Sequence, residues 1–299
     1  MKYLIIGSKG FIGQWAVKYY QDQQDIAVYG CDVVVDYEAD NYFLIDASNA
    51  SFEHIFRSHQ FDACINCSGA ASVPDSLKHP SRDYELNTHN VFKLLTAIKE
   101  HSPACKFVNL SSAAVYGNPE SLPIVEAQRL APVSPYGRHK LMAEMILSEF
   151  SDFYDIPTVS LRIFSAYGEG LTKQLFWDLH QKASGSAAIS LCGTGRESRD
   201  FIHVYDLVRV IDLVIKQADF KGEAINAANG EEIYIEDAVG TYYSNFDEKV
   251  VHGFSGQGRK GDPSNWVADI STIRGYGYEQ SISFEEGMAR YYQWIVRRG

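Results

Sequence analysis

The chain has 299 residues, 45% of them apolar, enough to bury a full core in one large domain or two small ones. Its formal net charge of -11 and the absence of any basic run exclude nucleic acid as an expected partner, so any phosphate it binds must be met by a local clamp. No stretch approaches the ~20 apolar residues of a membrane span, and the apolar run at the N-terminus is too short for a signal-peptide core. Cysteines at 31, 64, 67, 105 and 192 are odd in number and scattered, which predicts reduced thiols in a cytoplasmic protein without a membrane partner. No metal is expected: Cys64 and Cys67 have neither a second pair nor a histidine at zinc spacing, and no H-E-x-x-H or G-x-S-x-G is present.

The alternation of elements begins at once. Lys2–Ile6 reads as a buried strand, Gly7 to Gly13 as a glycine loop, Phe11–Gln21 as a helix and 26–31 as a second strand. Further strands are predicted at 42–45, 62–66, 106–110 and 157–163, separated by helices over 81–101 and 135–150. Val91, Leu94, Leu95 and Ile98 recur at helical spacing and form one apolar stripe. Beyond residue 163 the pattern loosens into glycine- and tyrosine-containing loops, a helix over 204–216, a strand over 224–228 and a terminal helix carrying Phe284, Met288, Tyr292 and Ile295 in register. An α/β fold follows: a doubly wound parallel sheet over 1–163, joined by 200–228, with a smaller C-terminal substrate lobe from 164–199 and 229–299. No internal repeat or low-complexity segment is visible.

The loop Gly7-Ser8-Lys9-Gly10-Phe11-Ile12-Gly13 follows a strand and opens a helix, where glycines let backbone N–H groups approach a pyrophosphate at the helix N-terminus. Asp32, about 20 residues on, ends the second strand, where a carboxylate can accept hydrogen bonds from the adenosine ribose. It would repel a 2'-phosphate, so NAD is the expected cofactor. Lys9, inside the loop, is the one residue that leans toward NADP.

Tyr136 and Lys140 lie four residues apart, on one face of a helix starting near Ser134-Pro135. A phenol is a poor base at neutral pH; an adjacent ammonium and a nicotinamide cation would both favour its ionised form, letting it exchange a proton with a substrate hydroxyl while hydride moves. Ser112, in Ser111-Ser112-Ala113-Ala114-Val115-Tyr116-Gly117, follows a predicted strand at the carboxyl edge where ligands bind in open α/β sheets, and could hydrogen-bond the reacting oxygen.

With those residues the chain resembles the extended short-chain dehydrogenase/reductases, the sugar-nucleotide epimerase/dehydratase family, over nearly its whole length. The matching blocks are the glycine loop, Gly69-Ala70-Ala71, Asn87, the Ser112 block, Pro135-Tyr136 to Lys140, and Leu161-Arg162-Ile163-Phe164 leading to Tyr167-Gly168. Two more lie in the second lobe, Arg199-Asp200-Phe201-Ile202-His203-Val204-Tyr205-Asp206 and Arg259-Lys260-Gly261-Asp262-Pro263. The resemblance implies a Rossmann-type fold and a catalytic trio of Ser112, Tyr136 and Lys140. It implies NAD held by Gly7, Gly10, Phe11, Ile12, Gly13, Asp32, Asp46, Ala70, Asn87, Tyr136 and Lys140, with Asp46 at the adenine. The nucleotide-sugar would lie against Ser72, Ser112, Tyr136, Ser165, Arg199, Arg259 and Asp262, the two arginines clamping its diphosphate bidentately. A homodimer through the helices carrying Asn87 to Ile98 and Tyr136 to Leu147 is implied as well.

The chain departs from the family pattern in places. Ser165 stands where many members carry an asparagine, and Asn90 where glycine is usual. Ala113 and Ala114 replace the Asp-Glu pair of the 4,6-dehydratases, so elimination lacks its acid and base there. No cysteine occupies that block as in the relatives that epimerise C3 and C5. A 4-epimerase is the leading expectation, a 4-keto-sugar reductase using the same residues the second, and a non-catalytic dinucleotide sensor of the same fold the third.

Overall fold

The computed structural model describes residues 1–183, 189–257 and 264–298. Seven strands build one sheet: β1 (Lys2–Ile6), β2 (Ala27–Asp32), β3 (Tyr42–Leu44), β4 (Ala63–Asn66), β5 (Lys106–Ser112), β6 (Thr158–Ile163) and β7 (Lys221–Ala227). Their spatial order is β7-β6-β5-β4-β1-β2-β3, and every adjacent pair is parallel. The strand order reverses between β1 and β4, which opens a crevice beyond their carboxyl ends.

Side chains alternating along the strands divide the core between the two faces. Tyr3 and Ile5 of β1 join Val108, Leu110, Val159 and Leu161 in one cluster, under the helices α1 (Phe11–Gln21) and α4 (Val204–Gln217). Leu4 and Ile6 join Cys64 and Phe107 in another, under α2 (Asn90–His101) and α3 (Pro135–Tyr154), with Val91, Leu94, Leu95 and Ile98 of α2 buried in it. This is the doubly wound architecture expected from the alternation. A third cluster, including Tyr167, Phe176, Leu191, Phe201, Tyr242 and Met288, gathers the smaller lobe around the terminal helix α5 (Phe284–Val296). Short strand pairs supplement the lobe: Ser165–Tyr167 with Phe201–His203, Ser198–Arg199 with Ile233–Tyr234, and Ile189–Leu191 with His252–Phe254.

The expectation of one helix over 81–101 requires correction. The chain forms a short helix Pro80–Tyr84, a π-helical turn Glu85–His89, and then α2. The wider turn turns Asn87 and Thr88 inward, where the Thr88 hydroxyl donates to the His139 carbonyl at 2.9 Å, while the apolar stripe of α2 still meets the core. Such turns concentrate at functional sites. Among the described residues no helix is long and apolar enough to cross a membrane.

Candidate active site

At the β1–α1 junction Gly7 has φ of +76°, and a Cβ there would stand 2.7 Å from the Ser68 backbone nitrogen. A Cβ on Gly13 would collide with the Gly7 carbonyl oxygen. Both positions need glycine. Gly10 is the N-cap of α1 and brings no side-chain cap, leaving the first-turn N–H groups of Phe11, Ile12 and Gly13 for an external acceptor. This cradle fits the pyrophosphate of a dinucleotide. Asp32, at the end of β2, accepts from the backbone nitrogens of Lys9 at 2.8 Å and Val33 at 2.7 Å, so it both shapes the loop and stands beside it. The Lys9 ammonium is committed to Asp36 and lies 5.2 Å from the centre of the Tyr42 ring; that hydrogen bond holds the Asp36 carboxyl below the usual range. Asp46, exposed just past β3, accepts from the Ser48 nitrogen and hydroxyl at 2.7 Å each.

The carboxyl ends of β5 and the start of α3 bring Ser112, Tyr136 and Lys140 together. Ser134 caps α3, its hydroxyl accepting from the Gly137 nitrogen at 3.1 Å, and Pro135 fills the first turn, a combination that fixes where the helix begins. Burial pushes the Tyr136 phenol up to about 12, a hydrogen bond from Ser112 pulls it back, and the Asp83 carboxylate pushes it up further. Lys140 is buried, its ammonium donating to the Leu110 carbonyl at 2.7 Å, and desolvation pushes it down to about 8. Burial is the largest influence on the phenol in the protein alone.

The adjacent Ser111 is engaged elsewhere. Its hydroxyl donates to Glu144 Oε1 at 2.5 Å, and Glu144 is gripped by Arg162 through Nε at 3.1 Å and Nη2 at 2.8 Å. Arg162 Nη1 reaches the Tyr116 hydroxyl at 2.9 Å, which itself donates to Asn226 at 2.7 Å. A buried polar chain thus ties α3 to β5, β6 and β7. Sequence reading placed Arg162 in a motif without a role and passed over Glu144; the available signal was its position four residues beyond Lys140, on the same helix face.

In the loop after β4 Ala70 is half-buried, and Ser72 caps the helix Val73–Lys78, accepting from the Asp75 nitrogen at 3.2 Å. The Ser165 nitrogen donates to the Asp200 carbonyl at 2.9 Å. Arg199 donates to the Ser198 carbonyl at 2.7 Å and lies 5.5 Å from the centre of the Trp266 ring. Asp200 anchors this region, its carboxylate accepting from the nitrogens of Asn229, Gly230 and Ala268 at 2.9 to 3.0 Å; burial pushes it up to about 7 against those bonds. Arg259 and Asp262 lie outside the described residues.

A model of the NAD dependent epimerase/dehydratase family matches residues 3–228. The chain belongs to that family. It is an enzyme whose cofactor is NAD. Among curated relatives, it is 32% identical over 241 residues to a UDP-glucose 4-epimerase of Azospirillum brasilense, covering 74% of this chain and 69% of that one. It is 29% identical over 300 residues to a UDP-glucose 4-epimerase of Lactobacillus helveticus, covering 92% and 90%. A solved UDP-N-acetylglucosamine 4-epimerase from Methanobrevibacter ruminantium, in complex with UDP-N-acetylmuramic acid, superposes with a TM-score of 0.88 at 25% identity over 100% of this chain and 99% of that one.

The ion pair at Lys9 sharpens the cofactor choice of this family member. With Lys9 held by Asp36 and Asp32 beside the glycine loop at the end of β2, fluorescence titration should give tighter binding of NAD than of NADP, and Asp32→Ala should narrow the gap. Asp36→Asn frees the ammonium and should raise NADP affinity selectively. Equal affinities in the unaltered protein would remove Asp32 as the discriminating group.

Proposed function

We propose that this enzyme is a nucleotide-sugar 4-epimerase. The observation that carries the reading is the pairing of Tyr136 and Ser112 above buried Lys140, beside a turn in which Ala113 and Ala114 offer no carboxylate for elimination. Bound NAD would supply a hydride acceptor that also returns the hydride. Tyr136 takes the proton from the C4 hydroxyl, Ser112 holds the reacting oxygen, and Tyr136 gives the proton back to the same oxygen after the keto-sugar has presented its other face. The site retains the proton throughout and no water is lost. Arg199, with Arg259, would hold the diphosphate, since guanidinium groups bind phosphate bidentately. The 4-epimerase names of the similar proteins support the reading.

The test is incubation of the purified protein with UDP-glucose, UDP-N-acetylglucosamine and UDP-glucuronic acid, followed by NMR of the products. Interconversion of C4 epimers from both directions, without net change in reduced cofactor, is the expected result. Stoichiometric consumption of reduced cofactor with a 4-keto sugar would instead support the reductase.

We infer further that the protein is a two-fold dimer. Tyr84 on the short helix Pro80–Tyr84, Phe92 on α2, and Met142, Met145 and Phe153 on α3 are exposed, apolar residues of the kind that mark an interface. Sedimentation at micromolar concentration should give twice the chain mass, and Met145→Lys should give a monomer; a monomeric unaltered protein would contradict this.

A further inference from the structure

Trp266 joins two parts of the site that are far apart in sequence. It is 7% exposed and belongs to the core cluster under α1 and α4, edge-on to Phe164 at 5.9 Å. Its indole N–H donates to the Gly117 carbonyl at 3.1 Å, at the end of the turn that Ser112 opens. Gly117 has φ of +67°, and a Cβ there would collide with the Ala131 carbonyl oxygen, so the backbone that offers this acceptor needs glycine. Two residues before Trp266, the Ser264 nitrogen donates to Asn118 Oδ1 at 3.2 Å. The same segment runs beside the strand that carries Arg199. The Trp266 nitrogen donates to the Ser198 carbonyl and the Ser198 nitrogen to the Ser264 carbonyl, each at 3.2 Å, and Asn265 Oδ1 accepts from the Ser198 nitrogen at 3.1 Å. Ser264 to Trp266 is thereby bonded to the Ser112 turn on one side and to the Arg199 strand on the other.

We propose that Trp266 is the positioning residue that holds the Arg199 guanidinium in place for the substrate diphosphate, at a set distance from Ser112. The inference rests on Arg199 serving the diphosphate as proposed above. The guanidinium carbon lies 5.5 Å from the centre of the indole ring, within the ~6 Å reach of a cation–π contact. Arg199 Nη1 donates to the carbonyls of Ser198 at 2.7 Å and Ser264 at 3.2 Å, so the arginine is tied to the same segment as the ring. An aromatic face attracts a guanidinium without engaging its N–H donors, and a stacked arginine is held while its planar fork can still grip a phosphate bidentately. Without the ring, the long side chain must be ordered at each binding event, which lowers affinity. Because the indole N–H is anchored on the Ser112 turn, the ring also ties the diphosphate clamp to the catalytic end of the site, and the span between them decides whether the sugar hydroxyl arrives in register.

The experiment is calorimetric titration of the NAD-loaded enzyme with UDP, in the unaltered protein, Trp266→Met, Arg199→Ala and the double variant. Trp266→Met keeps an apolar side chain in the core but offers no ring face, and should weaken UDP binding by about tenfold, the scale of a partly desolvated cation–π contact. NAD affinity should stay the same, since the glycine loop is untouched. Arg199→Ala should weaken UDP at least as much. In the Arg199→Ala background, Trp266→Met should cost less than about threefold further, because a ring that acts through the guanidinium has nothing left to hold. Unchanged UDP affinity in folded Trp266→Met, or the same loss with and without Arg199, would overturn the proposal and leave Trp266 a packing residue. If Trp266→Met does not fold, replacing this one residue by a ring-fluorinated tryptophan carries the test: it keeps shape and N–H donor, weakens the negative face, and should weaken UDP binding likewise. Unchanged UDP affinity in Arg199→Ala would overturn the clamp and this proposal together. UDP binding is read whether or not any UDP-sugar is turned over, so failure of the 4-epimerase reading is seen separately.

Discussion

Tyr136→Phe is expected to reduce turnover by about 100-fold or more, the scale for loss of a positioned acid/base. The substitution removes one oxygen from a ring that packs against the core cluster under α1 and α4, so fold and cofactor occupancy should survive; circular dichroism and bound-NAD analysis check both. The phenol's position near 12 in the protein alone means that turnover should rise with pH across the neutral range in the unaltered enzyme, because the basic form is scarce at pH 7 and grows toward higher pH. Ser112→Ala should cost less, since the phenol keeps its reach to the sugar oxygen and loses only an aligning hydrogen bond. Near-normal turnover by Tyr136→Phe, with the authentic nucleotide-sugar and full cofactor occupancy, would remove the phenol from the mechanism.

Much of the architecture was legible in the sequence because its signals are local and periodic. The glycine loop between Ile6 and Phe11 and the stripe from Val91 to Ile98 each read from a few adjacent residues, and the sheet strands were placed to within a few residues. What escaped was the structure that depends on distant partners. The π turn at Glu85–His89 cannot be read from a pattern that continues helically on both sides; it goes with the bond from the Thr88 hydroxyl to the distant His139 carbonyl on α3. Three-residue strands such as Ser165–Tyr167 carry no measurable period and exist because a segment some 35 residues later lies beside them. The site divides in the same way. Tyr136 and Lys140 stand out by a four-residue spacing, whereas Ser111 and Glu144 are 33 residues apart in sequence and meet only when α3 packs against the end of β5.

The buried ion pair between Glu144 and Arg162 carries the largest expected effect on stability. Both side chains are nearly inaccessible, 8% and 6% exposed, and their charges were taken out of water at a cost that only mutual contact and further hydrogen bonds offset. Burial works against the guanidinium, but its bonds to Glu144 prevail and push its pKa up. Glu144→Met leaves a buried guanidinium without its counter-charge and should lower the unfolding free energy by about 3–5 kcal/mol, measured by urea denaturation. Arg162→Met should cost a similar amount by stranding the carboxylate. The double variant Glu144→Met with Arg162→Met should recover much of the loss, because no unmatched charge remains, and the cycle should give a coupling of 0.5–3 kcal/mol or more. Recovery should be incomplete. Arg162 also donates to the Tyr116 hydroxyl and to the Glu126 carbonyl at 2.8 Å, and Glu144 accepts from Ser111, so replacing both charges still strands those groups. Because Ser111 precedes Ser112 and Glu144 lies one turn beyond Lys140 on α3, the double variant should also lose turnover while NAD stays bound to the distant glycine loop. Single variants that lose less than about 1 kcal/mol, the scale of an exposed pair, would mean that the pair does not bear on the stability of the catalytic helix.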